Sequence, residues 1–147
     1  PDQERYLPSP ALPAQAVIAM SPPGPMFDTI TANSWLELTK PTLVTTGTWD
    51  IQPGFWDDWR LHLMSWETAQ PGDKYALTTE GADHFLGNLI CRLERDATPQ
   101  EDALQMVLIA TTSFLEAFVK ADSEARAFLD SDRLGRLTEG FSSLSRR

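Results

Sequence analysis

The chain has 147 residues, of which 41% are hydrophobic, and this is enough to build the core of one modest domain. Its formal net charge of −9 at pH 7 argues against nucleic acid or an anionic membrane surface as the main partner, because both repel an acidic protein. The single cysteine, Cys91, excludes an intrachain disulfide or a cysteine-rich zinc site and is expected to be buried, and without a run of about 18 apolar residues the sequence predicts no membrane span.

Short strands are predicted at three apolar or β-branched runs, which are residues 16–20, 42–47 and 75–79. The loop-like segment between the first two runs is expected to contain a helical turn around residues 34–38. Between the second and third runs, Trp59, Leu63 and Trp66 recur at helical spacing, which places them on one face of a helix. Strands that alternate with helical segments indicate an α/β fold, with a parallel sheet as the default arrangement.

The clearest predicted helix starts at Thr98, where the sequence Thr-Pro-Gln-Glu has the pattern of a capping box with proline at the first helical position. An apolar stripe extends this helix to about Lys120, and its members are Leu104, Val107, Leu108, Leu115, Phe118 and Val119. A second helix is expected from Ser123 to Leu129, followed by a mobile tail.

Three strands and a few helices make a small sheet. A parallel sheet that is covered on both faces usually has more strands, and this one would leave a strand edge open. The chain also begins without an initiator methionine. The sequence therefore predicts the second half of a larger domain.

Two of the predicted strands are followed by ionisable residues, Asp50 after the second and His84 after the third. Sites in open α/β sheets gather at the carboxyl ends of the strands. A carboxylate that binds one imidazole nitrogen fixes the tautomer and leaves the other nitrogen able to accept a proton. Each residue alone also has an ordinary account, since Asp favours turns and a lone His after a strand is commonly a polar loop residue. Together they follow the chain order of the last two members of an α/β-hydrolase triad, in which the acid precedes the histidine.

These segments carry a family resemblance. The sequence "KPTLVTTGTWD", which ends at Asp50, resembles the acid-bearing strand of the α/β-hydrolase superfamily, and "KYALTTEGADHF" resembles the strand that carries the catalytic histidine. The sequence "AVIAMSPPGP" is similar to the strand and loop that follow the nucleophile in predicted dienelactone hydrolases and bacterial relatives of platelet-activating-factor acetylhydrolase. The resemblance covers Gln15 to Lys120.

The resemblance implies the C-terminal part of a doubly wound, mostly parallel sheet, namely its last three strands with their helices, completed by a missing N-terminal half. It implies a serine ester hydrolase that uses no cofactor and no metal, with Asp50 as the triad acid and His84 as the general base. Residues 1–14 are then a cut end or linker, residues 15–122 the C-terminal half of the hydrolase domain, and residues 123–147 a C-terminal helix with a flexible tail.

The nucleophile motif of this superfamily does not occur in the sequence. No serine lies in a Gly-x-Ser-x-Gly motif, which in this superfamily precedes the acid and the histidine. Ser21 follows the first predicted strand, but Pro22 and Pro23 lack the amide donors that an oxyanion hole would use. We therefore expect the serine on a partner, the N-terminal half of the same precursor, with this chain alone inactive; the alternative is an elbow in a form that the pattern does not reveal.

Other residues near the pair have less definite predictions. Trp49 and Phe85 are expected to line an apolar pocket for the acyl or alcohol part of a small ester, although tryptophans also serve simply to pack helices on sheets. His62 matches no motif position and is expected to be an exposed or packing residue. Asp83 is a competing acid, but a side chain adjacent to His84 is poorly placed to bind its ring.

A rival function from another class is a non-catalytic protein-interaction module, or an inactive hydrolase fragment, in which the acidic surface and the Trp-rich helix bind a protein. A nucleotide-binding domain is a weaker alternative, because the segment "TTGTWD" has only one glycine.

Overall fold

The computed structural model describes residues 14–90 and 96–147. It shows a mixed α/β fold with one four-stranded sheet, which confirms the predicted class. The strands are β1 Val17–Met20, β2 Thr42–Gly47, β3 Lys74–Thr79 and β4 Ser142–Arg146. The helices are α1 Met64–Thr68, α2 Glu101–Val119, α3 Ser123–Leu129 and α4 Arg133–Leu137, with 3-10 helices at Ala32–Trp35 and Trp59–Leu63. Cys91 and nearly all of the expected linker at residues 1–14 lie outside the described residues.

The first three strands are parallel neighbours in chain order, so their carboxyl ends meet at one edge of the sheet. Strand β2 is buried along its whole length because both of its faces are covered. On one face Leu43 packs with residues of α2. On the other face Val44 packs with Trp59 and Trp66, as their predicted shared face requires. The continuous apolar character of this strand therefore reflects burial on both sides.

The fourth strand was not expected, because the polar segment from Ser142 to Arg146 was predicted to be part of a mobile tail. This segment pairs antiparallel with β3, so the prediction of three strands is wrong. Leu144 packs partly buried against the main core, while the hydroxyls of Ser142 and Thr79 lie 2.9 Å apart. The polar side chains of an edge strand conceal it from a search for apolar runs.

Helix α2 begins later than predicted. Its N-cap is Gln100, and no side chain caps it, so the predicted capping box at Thr98 is wrong. The side chain of Gln100 instead binds the loop after β3: its Nε2 donates to the carbonyl of Gly81, and its Oε1 accepts from the amide of Asp83, both at 2.9 Å. The start of α2 therefore holds the loop that carries His84.

The buried face of α2 also differs from the predicted stripe. The buried residues of α2 are Ala103, Val107, Ala110, Phe114 and Ala117, of which only Val107 belongs to the predicted stripe. Leu108, Leu115 and Val119 are exposed instead. By length and composition alone this helix is apolar enough to cross a membrane, but its small buried alanines have the pattern of a helix that lies closely on a sheet.

Candidate active site

The loops after β2 and β3 are tied to each other by backbone hydrogen bonds. The amide of Thr48 donates to the carbonyl of Thr79, and the amide of Trp49 donates to the carbonyl of Ala82, both at 3.0 Å. Gly47 makes this approach possible, because a Cβ at that position would lie 2.1 Å from the carbonyl oxygen of Ala82. The glycine in the predicted acid-bearing motif is therefore needed for close backbone contact.

The two residues singled out from the sequence meet at this edge. The Nδ1 of His84 lies 2.8 Å from the Oδ1 of Asp50. Because an ionised carboxylate only accepts, Nδ1 carries the proton and donates it. The opposite nitrogen, Nε2, then holds the lone pair, and within the described residues it has no hydrogen-bond partner. The side chain of His84 is 33% exposed, whereas Asp50 is fully buried.

The second oxygen of Asp50 is bound by two hydroxyls. Ser21 donates to Oδ2 through a short hydrogen bond, and Thr46 donates to the same oxygen at 3.0 Å. Ser21 directly follows β1 and has a positive φ of 43°, a conformation that few non-glycine residues adopt. The structure thus places Ser21 as a hydrogen-bond donor to Asp50, a contact that sequence reasoning missed.

His62 is also part of the site, and of its two predicted alternatives, exposed or packing, the structure shows a buried residue that packs against Trp56. It is 2% exposed, its Nδ1 lies 2.9 Å from the carbonyl oxygen of Pro22, and its Nε2 lies 3.2 Å from the Oδ1 of Asp50. The second contact is at ion-pair distance but is not aligned as a regular hydrogen bond. One signal pointed to burial: His62 recurs with Trp59 and Trp66 at i, i+3 and i+7, on the buried face.

Trp56 packs against both histidines. Its ring centroid lies 5.6 Å from that of His62 and 5.7 Å from that of His84, and its Nε1 donates to the backbone carbonyl of Asp50 at 3.1 Å. The ring of Phe85 meets His84 edge to face, with centroids 4.7 Å apart. These aromatic rings restrict the orientation of both imidazoles.

The electrostatic state of the site follows from these contacts. Burial raises the pKa of Asp50, but its contacts with His62, His84 and Ser21 outweigh burial and hold the pKa well below its usual range. Burial lowers the pKa of His62, but its contacts with Asp50 and the Pro22 carbonyl outweigh burial and raise the pKa above its ordinary value. Asp50 is therefore a carboxylate throughout the neutral pH range.

A largely apolar cavity of about 320 Å³ adjoins the pair on the side of the sheet that α2 covers, which is the size of a small ligand site. His84 and Phe85 line it, together with Met20, Leu86, Ile90 and Val107. Trp49 is 64% exposed and lies outside this cavity; it shares a smaller cavity of about 120 Å³ with Phe85 and His84. The structure thus brings Phe85 to both cavities and Trp49 to only one.

Asp50, His62 and His84 each offer one atom that could bind a metal ion, and these atoms lie within 4.8 Å of one another. Adjacent ligand atoms around a tetrahedral zinc ion with bonds of 2.0–2.1 Å are roughly 3.3 Å apart. The 2.8 Å separation between Asp50 and His84 is shorter and is the usual length of a charge-assisted hydrogen bond. The distance between Asp50 and His84 therefore fits a hydrogen bond between these residues better than a metal ion that both of them bind.

In comparisons with known proteins, no family model matches this sequence and no curated protein shows significant similarity to it. The interpretation of the site depends on its residues and their geometry.

Proposed function

We propose that this chain supplies the acid and the general base of a serine ester hydrolase. The observation that carries the proposal is the 2.8 Å bond from the Nδ1 of His84 to the buried Asp50. It leaves the Nε2 of His84, on the wall of an apolar cavity, as the atom able to accept a proton.

In the proposed reaction, Nε2 of His84 takes the proton of a serine hydroxyl while the serine oxygen attacks the ester carbonyl carbon. The imidazolium, stabilised by Asp50, then gives that proton to the departing alkoxide, and an acyl-serine remains. Water attacks the acyl carbon with His84 again as the base. The carboxylic acid leaves, and the serine regains its proton from His84.

The serine comes from another segment, the N-terminal half of the same precursor. The only serine among the described residues that binds Asp50 is Ser21, and its hydroxyl hydrogen is already donated to that carboxylate. Strand β1 has no strand neighbour on its outer edge within the described residues. A parallel strand added at that edge would end beside Ser21 and His84, where the carboxyl ends of β1, β2 and β3 meet.

The substrate class is a small carboxylic ester with an apolar acyl or alcohol part. The surface of the cavity beside His84 is largely apolar, with Met20, Leu86, Ile90 and Val107 among its lining residues, while its polar lining residues besides His84 are Ser21, Thr45, Thr46, Thr79 and Asp83. Phe85 forms part of its wall next to the proposed base, and Trp49 lines the smaller cavity that His84 also lines.

The test uses the complete protein or complex that contains this chain, isolated through a tag after Arg147. A fluorophosphonate probe is expected to label one serine outside this chain, and the protein is expected to hydrolyse p-nitrophenyl butyrate. His84→Ala should lower kcat by at least about 10⁴-fold and abolish labelling, since it removes the base that activates the serine.

Asp83→Asn is the matched control, because it removes the charge next to His84 yet keeps the Oδ1 that accepts from the amides of Phe85 and Gly87. It should retain most of the activity. Hydrolysis that survives His84→Ala would sink the proposal. A preparation that hydrolyses no ester and retains a bound protein partner would support the interaction module instead.

A further inference from the structure

A second imidazole contacts the carboxylate of the proposed acid–base pair, and the proposed reaction does not use it. His62 comes from the 3-10 helix Trp59–Leu63, and its ring centroid lies 5.9 Å from that of His84. Both rings approach the same oxygen, Oδ1 of Asp50, at 3.2 Å and 2.8 Å. His62 is buried and does not line the cavity of about 320 Å³, but it lines a second cavity of about 260 Å³ together with His84.

The contacts of His62 define its protonation state. A backbone carbonyl can only accept, so the Nδ1 that lies 2.9 Å from the oxygen of Pro22 must carry a hydrogen. In a neutral ring, Nε2 would present its lone pair to the carboxylate of Asp50. Two buried hydrogen-bond acceptors would then lie opposite each other with no hydrogen between them. A second proton on Nε2 converts this contact into a buried ion pair.

We propose that His62 is a positioning residue that sits as an imidazolium on Asp50, so that this one carboxylate binds two histidines and only His84 exchanges protons during the reaction. The catalytic part of this inference rests on the proposed hydrolase function; the protonation state of His62 does not. The described titratable groups that face His62 are Asp50, from the loop after β2, and His84, from the loop after β3, while the segment after β1 contributes the carbonyl of Pro22.

The role of this ion pair is to hold Asp50 in place. The positive charge of His62 fixes the Oδ1 that His84 also binds, and Ser21 and Thr46 fix Oδ2. Because both oxygens of Asp50 are held, the carboxylate keeps the Nδ1 of His84 in one orientation and with it the direction in which Nε2 points.

The direct test is the imidazole ¹⁵N spectrum of the complete protein labelled with ¹⁵N-histidine. The signals of His62 are assigned by their loss in His62→Gln or, where that variant does not fold, in His62→Asn. We expect both ring nitrogens of His62 to be protonated at about pH 7, above the ordinary midpoint of histidine. A neutral ring with a bare Nε2 at that pH would overturn the proposal.

The functional test is the pH dependence of kcat for p-nitrophenyl butyrate. His62→Gln keeps a donor for the Pro22 carbonyl but removes the charge, so kcat should fall by about tenfold across the profile, because Asp50 then holds His84 less firmly. KM should change little, because His62 does not line the cavity of about 320 Å³ proposed for the substrate; it lines a separate cavity of about 260 Å³ with His84. Ser65→Ala is the matched control, since Ser65 is equally buried and its hydroxyl has no hydrogen-bond partner among the described residues.

A profile that is unchanged in His62→Gln would overturn the positioning role even if the variant is less stable. A visible Co²⁺ absorption band that disappears in His62→Gln and Asp50→Asn would also overturn the proposal, because it would show that a metal rather than a proton lies between these residues. A protonated His62 in a protein without esterase activity would support the ion pair and count against the hydrolase function.

Discussion

The sheet carries a polar cluster at each end, and the two are built from similar parts. The carboxyl-end cluster consists of Ser21, Thr46, Asp50, His62 and His84. The amino-end cluster consists of Asp73, Tyr75, Arg126, Asp130 and Arg146. In each cluster a ring side chain donates to a carboxylate: His84 to Asp50 at 2.8 Å, and Tyr75 to Asp130 at 2.6 Å.

The two clusters differ in whether the ring side chain keeps a basic atom after it has donated its hydrogen bond. In the amino-end cluster, burial and the bond to Asp130 raise the pKa of the Tyr75 hydroxyl, so its proton stays in place. Arg126 and Arg146 pair with the same carboxylate. In the carboxyl-end cluster the imidazole of His84 has a second nitrogen, which the hydrogen bond to Asp50 leaves basic. A similar network therefore holds the only hydrogen of the Tyr75 hydroxyl at one end and leaves an imidazole nitrogen with its lone pair at the other.

The largest effect on activity is expected when the carboxylate of Asp50, in the cluster at the carboxyl ends of the strands, is replaced by an amide. In the complete protein, Asp50→Asn should lower kcat/KM for p-nitrophenyl butyrate by about 10⁴-fold, because the amide can donate to His84 and favour the wrong tautomer. Steady-state kinetics measure the loss, and circular dichroism checks that the fold persists.

Asp130→Asn is the control for that variant at the other end of the sheet. It weakens the contacts with Tyr75 and Arg126 but lies at the opposite end from His84. It should keep kcat/KM within a few-fold of the unmodified protein while lowering the temperature of unfolding. Equal losses of activity in the two variants would show that both clusters act only through stability.

The sequence predicts that Asp50 and His84 meet, and the structure confirms this contact, because each residue follows a parallel strand and the carboxyl ends of such strands lie at one edge of the sheet. It does not predict the other members of the cluster. Ser21 contacts Asp50 across 29 positions of chain, and His62 depends on the close approach of Pro22, 40 positions away. Strand β4 is missed for a related reason: Ser142–Arg146 pairs through its backbone, which amino-acid type describes poorly at a sheet edge.

A smaller effect is expected from pH on the stability of the carboxyl-end cluster. The pKa of Asp50 is lowered in the folded state, so its contribution to stability is present above its ordinary pKa near 4 and is lost as pH falls further. The pKa of His62 is raised, so its contribution is complete below about 6.5 and is lost as pH rises through its folded value.

The pair therefore contributes most between roughly pH 4 and pH 6.5. The temperature of unfolding, measured across this range and above it, should fall on the alkaline side in the unmodified protein. The decline should be weaker in His62→Gln, which has no imidazole to lose a proton. An alkaline decline of the same size in both proteins would contradict the ion pair.

The smallest effect is expected from removing one hydroxyl at the amino end. Tyr75→Phe keeps the ring, which is fully buried and packs against Phe114 and Phe118, and removes only the donor to Asp130. Because Arg126 and Arg146 still pair with Asp130, the cost should be about 1 kcal/mol of unfolding free energy. Thermal unfolding measures this cost, and esterase activity should not change. A large loss of activity in this variant would mean that the two ends of the sheet are coupled through β3, and the separation between a structural cluster and a reactive one would then fail.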